Sequence, residues 1–149
     1  MPLKVLFLCV HNSARSQMAA AYLKKFGGTD YEVFSAGLEP GHLNPLAIEA
    51  MIKDGIDISK NSTKAVSDYF EQGFHFDYVI TVCDAASADK CPLFPGVHQK
   101  IAWDFPDPSR FVGTHSENVA QTVQVRDQIK QAVLGFIDHI ESLRHEGAK

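Results

Sequence analysis

A chain of 149 residues has room for one domain with a sizeable core, and 45% hydrophobic with 21% charged residues is the balance of an ordinary soluble globular protein. A net charge of −4 gives no reason to expect nucleic acid or a membrane surface as partner, and no apolar run approaches membrane-spanning length. The odd count of three cysteines argues against a static disulfide framework, and Met1-Pro2-Leu3-Lys4 leads into a strand pattern without a signal peptide; the cytoplasm is the expected location and a monomer the expected state.

Residues 4–10 are nearly all apolar, the pattern of a strand buried on both faces of a parallel sheet. Residues 14–26 follow as a helix, with Met18, Tyr22 and Phe26 on one stripe and Ala19 and Leu23 beside it. Gly27-Gly28 ends it. Residues 31–36 read as a second strand and 37–41 as a loop. Asn44-Pro45 is a helix start, with Asn as cap and Pro in the first turn, and that helix stops at Gly55. A polar connection covers 56–63, and a short helix spans 64–72. Residues 76–83 form a third strand, followed by a small, polar segment, 84–90, that ends at Cys91-Pro92. Residues 98–103 form a fourth strand and 104–113 a Pro-rich loop. A long amphipathic helix fills 117–144, with Ile129, Val133, Phe136, Ile137, Ile140 and Leu143 at helical spacing.

This alternation implies an α/β three-layer sandwich with a four-stranded parallel sheet flanked by helices. Right-handed crossovers and doubly wound precedent give the strand order 2-1-3-4. The topological switch point then falls between strands one and three, at their C-terminal ends. Cys9 ends the first strand, Cys83 the third, and Trp103 leads from the fourth toward Asp107, so these residues share one sheet edge.

The densest chemistry is Cys9-Val10-His11-Asn12-Ser13-Ala14-Arg15-Ser16. A cysteine followed by five residues and an arginine lies between a buried strand and a helix start. Such a loop can wrap backbone N–H groups around a tetrahedral oxyanion, with the helix dipole adding positive potential. Arg15 can grip two anion oxygens at once, and the same field favours the nucleophilic thiolate of Cys9. Asn12 tolerates the left-handed backbone such a loop needs. Ser16 is placed to hydrogen-bond the Cys9 sulfur, and His11 reads as a surface residue of the loop. The competing reading is a free buried cysteine near a surface arginine; the strand–loop–helix context favours the anion cradle.

This loop with Gln17-Met18-Ala19, together with Ser35-Ala36-Gly37 and Asp107-Pro108, resembles the low-molecular-weight tyrosine phosphatase superfamily over essentially the whole chain. Within it, the chain is similar to the arsenate reductases recycled by thioredoxin. The resemblance implies that Cys9 attacks arsenate to form a covalent adduct. It further implies that Cys83 attacks Cys9, releasing arsenite and forming a Cys9–Cys83 disulfide, and that Cys91 attacks Cys83 to present Cys83–Cys91 to thioredoxin. Phosphate and sulfate would compete with arsenate for the loop, and the resemblance calls for no cofactor.

Read from their residues, Cys83 and Cys91 fit a redox relay, a pair of buried structural thiols, or a metal site. Metal is the weakest of these, because the spacing is not Cys-x2-Cys and no second ligand pair stands nearby. Neighbouring strands lie about 4.8 Å apart, so a cysteine ending strand three can approach Cys9. Helical geometry over 84–90 would hold Cys83 and Cys91 about 12 Å apart, whereas a disulfide needs Cα atoms within about 7 Å. The expectation is that oxidation remodels 83–91.

Asp107-Pro108 reads evenly as a general acid or as turn chemistry, and the resemblance tips it to the acid that protonates the leaving oxygen. Asp104 lies close enough in sequence to be mistaken for it. Ser35 is expected to hydrogen-bond Asn12 and stiffen the loop, the competing reading being an ordinary strand-end serine. Some relatives bind potassium beside the loop through acidic side chains, where this chain carries Ala20 and Lys64; the expectation is that the Lys64 ammonium replaces the cation, with no metal. Ser109-Arg110 stand where phosphatase relatives carry tyrosines, and Ala14 where they often carry a second cysteine, which favours a small inorganic anion. A protein tyrosine phosphatase is the runner-up, and a non-catalytic anion-binding or thiol-sensing regulator the third reading.

Overall fold

The computed structural model describes residues 2–11, 14–39, 41–82 and 99–147. Its organising element is β1 (Leu3–Cys9), whose residues from Val5 to Cys9 are all buried. It pairs in parallel with β2 (Tyr31–Gly37) on one side and β3 (Tyr78–Thr81) on the other, and β3 pairs in parallel with β4 (Gln99–Ala102). The order β2-β1-β3-β4 is the one expected of a doubly wound sheet with right-handed crossovers.

Side chains alternate across a strand, and β1 shows why both its faces are apolar. Val5, Phe7 and Cys9 face a core built with α1 (Arg15–Gly27), α2 (Pro45–Lys53) and the long last helix, α4 (His115–Gly147). Leu6 and Leu8 face a second cluster with Val66 and Tyr69 of α3 (Val66–Glu71) and with Phe76 and Val79. Helix, sheet and helix are thus the three layers.

Local chemistry sets the element ends. Asn44 caps α2, its side-chain oxygen accepting from the Leu46 amide at 2.9 Å. Helix α1 stops where Gly28 takes φ +62°, the left-handed region that costs glycine least. Helix α4 begins two residues earlier than its apolar spacing predicts, because Thr114 and Glu117 form a reciprocal capping pair. The Glu117 amide donates to Thr114 Oγ1 at 3.2 Å, and that hydroxyl donates to the Glu117 carboxylate at 3.0 Å.

Several expectations are corrected. Strand β3 is four residues long rather than eight; Phe76 lies before it and anchors the second cluster with no surface exposure. The Pro-rich loop contains a 3-10 turn, Pro108–Arg110. Phe26 and Leu143 share the apolar stripes of their helices by spacing but are 39% and 43% exposed, because each lies near the end of its helix beyond the sheet.

A polar network ties the helical layer together. The Tyr22 hydroxyl of α1 donates to Asp54 Oδ2 at 2.7 Å, just after α2. Lys130 Nζ of α4 donates to the same oxygen at 3.2 Å and lies over the Tyr22 and Phe26 rings. The Tyr22 hydrogen bond is the main reason the Asp54 carboxyl sits below its ordinary range. Burial, with the Asp54 carboxylate adding to it, pushes the Tyr22 phenol up.

Candidate active site

The parallel register brings the strand ends to one edge: Cys9 opposite Gly37, Leu8 opposite Thr81, and Thr81 opposite Ala102. Chemistry placed after these strands converges, as it must at the switch point of a doubly wound sheet.

Cys9 is the last residue of β1 and is 2% exposed. Its Sγ lies 2.9 Å from Ser16 Oγ in the first turn of α1. Ala14 is buried at the helix entry, and the Met18 amide donates to its carbonyl at 2.9 Å. On the outer side of the loop, the amides of Leu38, Glu39 and Gly41 donate to the carbonyls of Cys9, Val10 and His11 at 3.1, 2.8 and 3.1 Å. Carbonyl oxygens that would repel an anion are therefore turned toward 38–41. His11 is exposed, with Nδ1 2.9 Å from the Glu39 carbonyl.

Arg15, the first residue of α1, is buried to 6% exposure. Its guanidinium donates to the Phe105 carbonyl at 3.1 Å and lies 3.4 Å from Asp107 Oδ2. The other oxygen of Asp107 accepts from the Ser109 amide at 2.9 Å and the Ser109 hydroxyl at 2.8 Å. The turn and the site thus use the same carboxylate, one oxygen each. Aromatic packing holds this loop: Trp103 sits 6.1 Å from Phe7 of β1 and 6.3 Å from Phe105, centroid to centroid.

The structure therefore brings together Cys9, Arg15, Ser16 and Asp107. Ser35 is half-buried on β2 and Lys64 exposed beyond it, its carbonyl accepting from the Gly37 amide at 2.8 Å. Asn12, Ser13, Cys83 and Cys91 lie outside the described residues. The chain before Cys83 runs beside β1, the Val82 amide donating to the Leu8 carbonyl at 2.8 Å.

Two residues gain a role the sequence reading did not give them. The Phe105 carbonyl, a main-chain acceptor, has no residue-type signal at all. Gln17, 2% exposed, donates to the Ser62 carbonyl and accepts from Asn61, both at 3.1 Å. A polar residue among buried neighbours in the first turn of a helix is the signal that could have found it.

Comparison with known proteins agrees with this geometry. The family model described as low molecular weight phosphotyrosine protein phosphatase matches residues 4–149. An arsenate reductase of Bacillus subtilis is 41% identical over 135 residues, covering 90% of this chain and 94% of that protein. A solved arsenate reductase in the phosphate binding state superposes with a TM-score of 0.74 at 33% identity, over 93% of this chain and 98% of that one. A thioredoxin-dependent arsenate reductase of Corynebacterium glutamicum gives a TM-score of 0.61 at 31% identity, over 89% of this chain and 63% of that one. The chain belongs to the low molecular weight phosphotyrosine protein phosphatase family, and within that family it is similar to the arsenate reductases.

Proposed function

We propose that this protein reduces arsenate to arsenite, with Cys9 as nucleophile, and acts as a monomer in the cytoplasm. The observation that carries the reading is a buried thiol at a strand end, beside Ser16 and within one loop of the Arg15–Asp107 pair, in a chain 41% identical to an arsenate reductase.

Arg15 binds the oxyanion together with the amides of residues 10–16, and phosphate and sulfate compete there. The Cys9 thiolate displaces one arsenate oxygen, which Asp107 protonates so that it leaves as water, and a sulfur–arsenic bond forms. The Cys83 thiolate then attacks Cys9 Sγ. A disulfide forms, the sulfur–arsenic bond breaks, and its electron pair stays on arsenic, which departs as arsenite. Cys91 attacks Cys83, Cys9 leaves as thiolate, and the Cys83–Cys91 disulfide passes two electrons' worth of oxidation to thioredoxin. The relative from Corynebacterium glutamicum, thioredoxin-dependent by name, supports that donor. Asn12 and Ser35 stiffen the loop, and the Lys64 ammonium takes the place of a bound cation.

Arsenate-dependent NADPH consumption, coupled through thioredoxin and its reductase, tests the reading. Wild type consumes NADPH continuously, Cys9→Ser is silent, and Cys91→Ser releases one equivalent of arsenite per enzyme without consuming NADPH. Continued turnover by Cys91→Ser refutes the relay while leaving the arsenate chemistry standing. NADPH consumption that ignores arsenate, alongside steady hydrolysis of an aryl phosphate, moves the assignment to a phosphatase. Rates in potassium and sodium salts should match; specific activation by potassium contradicts the role given to Lys64.

A further inference from the structure

A large cleft of about 870 Å3 lies between α1, the outer edge of β2 and the 55–64 connection, with Gln17, Ser35 and Lys64 on its lining but neither Cys9 nor Arg15. Small-molecule sites span about 300–1,000 Å3. Four exposed lysines line it, Lys24 and Lys25 from the end of α1, Lys60 and Lys64 from the connection. Among the described residues of its lining, Asp57 is the single acidic side chain, and that carboxylate already accepts from the Ser59 amide at 2.8 Å. The Lys25 ammonium turns instead over the Phe26 ring, 5.7 Å from its centroid, so three lysines face one carboxylate, a local inversion of charge in a chain whose net charge is −4.

The dipole of α1 accounts by itself for lysines in its last turn. It does not account for Lys60 and Lys64, which come from the opposite wall. Nor are the walls loose. Gln17 bridges them through Ser62 and Asn61, the Thr63 hydroxyl donates to the Gly41 carbonyl at 2.6 Å, and the Gly37 amide holds the Lys64 carbonyl. The connection that carries the second pair of lysines is therefore fixed against the helix that carries the first. The floor is β2, an edge strand contributing half-buried Val33, Phe34 and Ser35.

We propose that this cleft binds a small polyphosphate-bearing anion, its phosphate chain held between the two lysine walls. A single tetrahedral oxyanion would fill little of the volume and could not answer charges on both sides. A chain of two or three phosphates spans them, and lysine, a compact charge on a flexible stem, needs no fixed bidentate geometry to bind it.

Isothermal titration of the full-length protein with inorganic tripolyphosphate and with ADP tests the site. Lys24→Gln/Lys60→Gln should weaken both probes by about tenfold or more, the scale of losing charge-assisted contacts. Its far-UV circular dichroism and arsenate turnover should stay at wild-type values. Arg15→Gln should bind both probes within about twofold of wild type, because Arg15 is not among the residues that line the cleft. Tighter binding of ADP than of tripolyphosphate assigns the floor to a base; equal binding assigns the site to the phosphate chain alone. The proposal is overturned if neither probe binds, if the double variant binds like wild type, or if Arg15→Gln abolishes binding. None of these readouts requires arsenate reduction, so the proposed activity and the cleft can fail separately.

Discussion

Asp107 divides its two oxygens between structure and chemistry, one closing the 3-10 turn through Ser109 and one facing Arg15 at 3.4 Å. Asp107→Asn can keep the turn, since an amide oxygen still accepts from the Ser109 amide, but it cannot donate a carboxylic proton. Turnover should fall by about 10²–10⁴-fold, the usual contribution of a general acid, while phosphate affinity holds or rises as Arg15 is released. Steady-state kinetics with phosphate inhibition checks both, and unchanged turnover would remove the acid role. Ser16→Ala deletes the hydroxyl 2.9 Å from the Cys9 sulfur. Loss of this hydrogen bond to the sulfur should slow alkylation of Cys9 at neutral pH by about tenfold, read as the rate of iodoacetamide labelling. At this scale residue type and spacing were enough to bring Cys9, Arg15 and Ser16 into one stretch, where the structure sets Cys9 Sγ 2.9 Å from Ser16 Oγ. The sequence reading had no access to the Phe105 carbonyl, because a main-chain acceptor looks the same at every residue.

Among the elements, α1, α2 and α4 meet at Asp54. Its carboxylate accepts from Tyr22 and Lys130, and the Tyr22 hydrogen bond lowers its pKa on folding. A carboxyl depressed in the folded state contributes stability that is fully present above its unfolded value of about 3.9 and is lost as pH falls through the folded value. Asp54→Asn should therefore cost about 1–2 kcal/mol at pH 7, and the deficit should shrink as pH drops below the unfolded value. Urea midpoints at pH 7 and pH 3 measure it; a deficit that is the same at both would show that charge is not the cause. Helix ends tell a related story. Asn44-Pro45 announces α2 in the sequence, because cap and first turn are local. Thr114 and Glu117 announce α4 in the same way, yet hydrophobic spacing alone starts that helix two residues late, since the first turn of a helix carries no core-facing residue here.

Across the whole molecule, β1 divides two cores. The smaller one, beneath the sheet, is an aromatic cluster in which Phe76 lies 5.3 Å from Phe34 and 5.8 Å from Tyr69, centroid to centroid. Phe76 has no surface exposure, so Phe76→Ala should cost about 3–5 kcal/mol in urea unfolding. A loss below about 1 kcal/mol would mean that the neighbours collapse into the cavity. The sequence by itself determined the layer order, the strand order 2-1-3-4 and the meeting of Cys9 with Arg15 and Ser16. Those follow from apolar periodicity, the doubly wound precedent with right-handed crossovers, and a loop of eight consecutive residues. Only the tertiary structure decided that Asp107 reaches Arg15 from 92 positions away, that Phe76 belongs to a core rather than a strand, and that four lysines share a cleft. Each of these joins side chains from separate elements, and the distance between elements is set by how their faces pack, which no local pattern encodes.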